Sequence, residues 1–241
     1  MLYYYGIIFL LFMIYSFLGY IIEVIEVSKI HKKLTLNRGF LIGPYLPIFG
    51  FGSLIMIYAL NAYEDDILVL FVMSAVSCSI LEYLTSLVLE KIFKLRWWNY
   101  SNKSFNLNGR ICLQNSILFG IGGVLIVKII NPVITSFLYF LPELVVEIIA
   151  VILFIGIMID FILTLYIMVK LKSNFNQYDK RDATYDLKKD ISKLLKKNNY
   201  LTARLLKSFP ELTDMKGQKF EEFKKNILKF QQERKRKRKR K

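Results

Sequence analysis

The chain has 241 residues, 54% of them hydrophobic, and a mean hydropathy of +0.38. That balance excludes an ordinary water-soluble domain and fits an all-α polytopic transmembrane bundle. The net charge of +15 is uneven: residues 1–170 carry 11 Lys/Arg against 10 Asp/Glu, whereas residues 171–241 carry 23 against 9, which divides the chain into a transmembrane helical domain (1–170) and a cytosolic basic tail (171–241).

A hydrocarbon core about 30 Å thick takes roughly 20 apolar residues in a helix. Five stretches meet that requirement, at about 5–27, 40–60, 67–90, 111–130 and 144–169. The first has no basic leader and no small-residue cleavage pattern, so it reads as a retained span rather than a secretory signal. Residues 133–141 are apolar but too short to cross, and they read as an interfacial or re-entrant piece ending at Pro142.

The loops set the orientation. Lys29, Lys32, Lys33 and Arg38 lie in loop 28–39, and Lys91, Lys94, Arg96, Lys103 and Arg110 lie in loop 91–110. Loop 61–66 is acidic, and 131–143 has no Lys or Arg. Lys/Arg excess marks the cytosolic side. All basic segments then share that side, with the N-terminus outside and the C-terminus in the cytosol. An odd number of spans is required, and five are present.

Ionisable residues inside a span cost at least about 2.5–3.5 kcal/mol each, so they are candidate functional groups. Here they are Glu23, Glu26, Glu82 and Asp160, with Glu147 and Lys128 nearer the outer surface. Glu23, Glu82, Asp160, Gln114 and Asn115 share the cytosolic depth zone, where Arg38 and Arg110 open spans 2 and 4. The first reading is a polar inner-leaflet pocket lined by carboxylates and closed by arginines, whose forks suit carboxylate or phosphate. The alternative is a set of structural ion pairs, or side chains reaching the interface.

The second span holds Gly43, Pro44, Pro47, Gly50 and Gly52. Either the helix is broken around a site, or it is a tolerated kink with close helix contact. In loop 91–110, Trp97, Trp98, Tyr100 and Phe105 suit the headgroup level, and Asn102, Asn106, Asn108 and Gly109 are turn formers. By composition this is an aromatic belt with basic anchors. Cys78 and Cys112 read as packing residues, and one histidine, His31, leaves no zinc constellation and no cofactor implied.

Three blocks carry a resemblance: SFLGYIIEV (16–24), NRGFLIGPYLPIFGFG (37–52) and LEYLTSLVLEKIFKLRWWNYSNKSFNLNGRICLQNS (81–116). They resemble the bacterial membrane family called putative ABC-transporter type IV, or CmpB-like permeases, over about residues 5–140. The resemblance implies a multi-pass permease of a bacterial cell membrane. The family motif falls here on Glu23, Arg38, Pro44, Glu82, Glu90, Trp97, Trp98, Tyr100, Asn106, Asn108 and Arg110; a common form has Asp where this chain has Asn99. No GxxxxGK[ST] phosphate loop is present, so an ATPase would be a separate subunit. A homodimer could supply a pathway between two copies.

In the tail, Leu187, Ile191, Leu194, Leu195, Leu201 and Leu205, then Phe220, Phe223, Ile227, Leu228 and Phe230, recur at helical intervals around Pro210, and RKRKRKRK closes the chain. Two basic amphipathic helices suit an anionic lipid surface first, a solvated orienting tail second and nucleic acid third. Three functions follow in order: a transport component binding a small amphiphile or ion, an intramembrane lipid-modifying enzyme, and a scaffold acting through its tail. The enzyme reading has no histidine in the spans and no nucleophile–base motif behind it.

Overall fold

The structure, a computed structural model, describes residues 1–32, 34, 36, 39–93 and 97–178. Arg38, Lys94, Arg96 and the basic tail from 179 onward, with its expected amphipathic helices, lie outside the described residues. The chain is helical: α1 (Leu2–His31), α2 (Pro47–Leu54), α3 (Ile67–Phe93), α4 (Leu113–Leu125), α5 (Asn131–Phe140) and α6 (Glu143–Tyr178). A short antiparallel hairpin, β1 (Asn106–Leu107) with β2 (Ile111–Cys112), joins α3 to α4.

Among the described residues, four helical stretches are long and apolar enough to cross a membrane: Leu2–Lys29, Ile67–Phe93, Leu113–Phe140 and Glu143–Val169. Their outer faces remain apolar. Ile148, Ile152, Ile155, Ile159 and Ile162 are all exposed along α6, a surface suited to lipid tails rather than water. The protein is membrane-embedded. Helix α6 passes residue 170 without a break and continues to Tyr178.

Two expectations about the spans are corrected. Residues 133–141 are not a separate interfacial piece: the expected fourth span continues as one helical stretch to Phe140. Pro132 would normally break it, lacking an N–H and crowding the carbonyl four residues back. A widened π turn over Ile126–Ile130 relieves this, with the Asn131 N–H bonding five residues back to the Ile126 carbonyl. The second span is not a helix over 40–60. Residues 39–46 are non-helical, and the helix starts at Pro47, in its first turn where no N–H is needed. It then runs through α2 and a second π turn, Ile55–Ala59.

Packing fixes the directions. Phe49 meets Gly19, Gly50 meets Ser16 and Phe12, and Ile57 joins Ile7, Leu11 and Tyr15, so α2 runs antiparallel to α1. Gly52 meets Cys78 and Leu81 while Leu60 packs on Leu70, so α2 is also antiparallel to α3. Between α1 and α3, the described residues 39–60 therefore run along both helices, first extended and then helical. Two contacts depend on missing side chains. A Cβ on Gly50 would overlap Ser16 and fall 2.7 Å from the Phe12 carbonyl oxygen, and one on Gly123 would overlap Ser74. At one end of the bundle Phe93, Ile167 and Met168 pack with Phe40 and Trp97. At the other, Tyr3 faces Tyr139 and Lys128 pairs with Glu64 at 3.8 Å.

Candidate functional site

The non-helical stretch before Pro47 creates a problem in an apolar setting, because every backbone N–H there needs a partner. Pro44 and Pro47 remove two donors outright. The Leu46 N–H donates to the carbonyl of Ser16 in α1 (2.9 Å). The Ile42 and Gly43 N–H groups both donate to the Asp160 carboxylate of α6, at 2.9 and 2.7 Å. The Tyr45 hydroxyl donates to Asp160 Oδ2, and the Thr164 hydroxyl, one turn along α6, donates to Oδ1 at 3.1 Å. Asp160 is 8% exposed and accepts four hydrogen bonds, the full capacity of a carboxylate. Its acceptors are filled from within the chain. It holds the segment beside Pro44, which is itself exposed.

A polar stripe runs along α3. Ser79, Glu82, Tyr83, Ser86 and Glu90 recur at spacings of three and four, which places them along one side of the helix. Ser79 Oγ lies 2.7 Å from Ser116 Oγ of α4. Glu82 Oε1 accepts from the Tyr100 hydroxyl at 3.0 Å, and the Asn115 amide also approaches this carboxylate. Glu23 of α1 is near enough to act electrostatically on both Glu82 and Tyr100. Nearer the end of α3, Arg110 Nη1 binds Glu90 at 2.7 Å and Ser86 Oγ at 3.1 Å, with its guanidinium 5.7 Å from the centre of the Tyr83 ring.

These contacts place the motif loop. Glu82 lies about 16 Å along the helix from Phe93, at 1.5 Å per residue. For Tyr100 to reach it, the chain after α3 must fold back along the helix, and residues 97–112 do so. This differs from a belt spread at headgroup level. Trp97 packs between Phe40 and Phe93, with ring centres 5.7 and 5.6 Å away, and Trp98 Nε1 donates to the Arg110 carbonyl at 2.9 Å. Burial holds the Tyr100 phenol above its usual range, and the Glu82 charge beside it adds to that.

The asparagines build the loop. Asn99 Oδ1 accepts from the Ser101 N–H and hydroxyl, a role open equally to the Asp of the common motif. Asn106 Nδ2 donates to the Lys103 carbonyl at 2.8 Å, and its Oδ1 accepts from the Gly109 N–H at 3.0 Å. Asn108 and Gly109 turn the hairpin at φ 53 and 66, which suits Asn-Gly, and Asn108 Nδ2 reaches the Tyr83 hydroxyl at 3.1 Å.

The structure thus brings Glu23, Glu82 and Tyr100 into one cluster and Glu90, Arg110, Trp98 and Asn108 into another, neighbouring along α3. Asp160 belongs to a separate network with residues 42–45. Tyr45, Thr164, Tyr83 and Ser79 escaped the sequence reading. The i, i+4 spacing of Asp160 and Thr164 and the helical periodicity of the α3 stripe were signals for three of them. Among the described residues no group of three or more His, Cys, Asp or Glu is placed to hold a metal.

A model of the family described as "Putative ABC-transporter type IV" matches residues 10–165, which takes in the broken passage, the α3 stripe and the folded-back loop. The chain belongs to this family. As a CmpB-type member it is a membrane-embedded protein of a transport-related family. No curated protein and no solved structure matches it.

Proposed function

We propose that this chain is the membrane-spanning component of a bacterial transport system powered by a separate ATPase subunit, handling a small amphiphile or ion. The observation that carries the reading is the extended segment 39–46, set among helices apolar enough to cross a membrane and held by Asp160. Irregular backbone persists at membrane depth only where protein buries it or where it lines a cavity, and broken passages of this type surround transporter sites. The α3 stripe with Glu23, Tyr100 and Arg110 lines the polar wall of an inner-leaflet pocket on this reading. The Lys/Arg-rich loops and tail face the cytosol, which leaves the N-terminus outside. The tail binds anionic lipid, and a homodimer completes the pathway.

The test is purification of the full chain from its native membranes in a mild detergent, with mass spectrometry of the recovered proteins and lipids. A stoichiometric ATPase supports the reading. Repeated recovery of intact chain without any ATP-hydrolysing protein overturns it, and a labelled lipid turned over by that preparation would favour lipid-modifying chemistry instead.

A further inference from the structure

Glu82 presents a charge problem that the other described residues do not solve. It sits midway along α3 and is 7% exposed. Oε1 accepts from Tyr100, whereas Oε2 is buried and has no hydrogen-bond partner among the described residues. The groups facing it are Glu23 from α1, Cys78 one turn earlier on α3, Tyr100 from the loop, and Asn115 from α4, with Cys112 beside Tyr100. None of these is a cation. The nearby basic group on the stripe, Arg110, is turned to Glu90 and Ser86. An ionised carboxylate in an apolar interior with no paired cation is strongly disfavoured.

We propose that Glu82 is a proton-binding site, and that one proton is taken up on Oε2 and released during the working cycle. A metal cation would neutralise the same charge, but it needs a shell of several oxygen ligands. Oε2 has no hydrogen-bond partner among the described residues, so no ready-made shell surrounds it, and one oxygen suffices for a proton. Tyr100 is the positioning residue: its hydroxyl steadies Oε1 when the group is ionised. It stands on the folded-back loop, whose next residue, Ser101, is exposed. Intramembrane acids placed in this way mark proton relays. The role in a cycle rests on the transport reading, but the protonation itself does not, and it can be measured with no substrate or ATPase present.

The experiment is infrared difference spectroscopy of the purified full chain in lipid, titrated over about pH 5 to 9, a range that covers buried carboxyl groups, in sodium and again in choline buffer. The expected result is a carboxylic-acid C=O band that shifts in D2O, vanishes as pH rises and is the same in both buffers. It should be lost in Glu82→Gln and retained in Glu23→Gln. Tyr100→Phe, which removes the donor to the ionised form, should move the midpoint upward. Should Glu82→Gln fail to fold, Glu82→Asp must shift the band frequency. A band absent at every pH, a band unaffected by all Glu82 variants, or one titrated by sodium rather than by protons overturns the proposal. Failure to recover an ATPase would overturn only the transport reading.

Discussion

Replacing Asp160 by alanine tests whether this carboxylate holds the broken passage together. The substitution removes four accepted hydrogen bonds. The Tyr45 and Thr164 hydroxyls can rotate to other acceptors. The Ile42 and Gly43 N–H groups are fixed in the backbone, and each costs about 1–3 kcal/mol if left buried and unsatisfied. The expected loss is therefore about 4 kcal/mol, at the upper end for a single substitution. For a chain of this size that corresponds to about 8–16 °C in Tm. Cys78 and Cys112 are buried free thiols, so a thiol-reactive dye reports unfolding of the purified protein in detergent during heating. Thr164→Val, which removes one donor from the same carboxylate, should cost about 1 kcal/mol, or about 2–4 °C. An Asp160→Ala protein melting within about 2 °C of wild type would refute the claim that Asp160 supports residues 42–45.

Three further outcomes follow from packing and charge. Gly50→Ala should destabilise by about 1–3 kcal/mol, since its Cβ meets Ser16 and the Phe12 backbone. Gly122→Ala, where nothing lies within 4 Å, should be neutral or stabilising by up to about 1 kcal/mol in the same dye assay. The Tyr100 phenol is raised in the folded protein, so folding favours its protonated form. That contribution is fully present below the ordinary tyrosine value of about 10 and is lost as pH rises beyond it. Tyr100→Phe should accordingly flatten the fall in stability with alkaline pH, and identical profiles for the two proteins would contradict the assigned burial.

The sequence revealed some layers of this molecule and concealed others, for physical reasons. Apolar length located α1, α3 and α6 to within a few residues at the starts of the last two, because hydrophobicity and bilayer thickness act along the chain. The glycines and prolines of 43–52 signalled an irregular passage. They did not say that an acid more than a hundred residues away would satisfy its backbone. Residues 133–141 read as a separate short piece, because the π turn that carries the helix past Pro132 has no side-chain signature. The carboxylates were grouped by depth alone. Depth is one coordinate, and the direction each residue faces around its helix, which separates Asp160 from Glu82, comes only from packing. Loop 91–110 suggested an interfacial belt because aromatic and basic residues suit that layer. Its return along α3 shows only in contacts across the fold, from Tyr100 to Glu82, Asn108 to Tyr83 and Arg110 to Glu90 and Ser86.

The short second helix has a bearing on how the protein is made. Its eight α-helical residues and five π-turn residues rise about 20 Å, against a hydrocarbon core of about 30 Å. Such a segment cannot be released into lipid on its own as it leaves the insertion machinery. Ser16 is already in place on α1, but Asp160 comes only with α6, synthesised more than a hundred residues later. Biogenesis is thereby obliged to be late and concerted. A chain stopped before α6 would leave the Ile42 and Gly43 N–H groups without this acceptor, open to chaperones and membrane proteases until the last helix arrives.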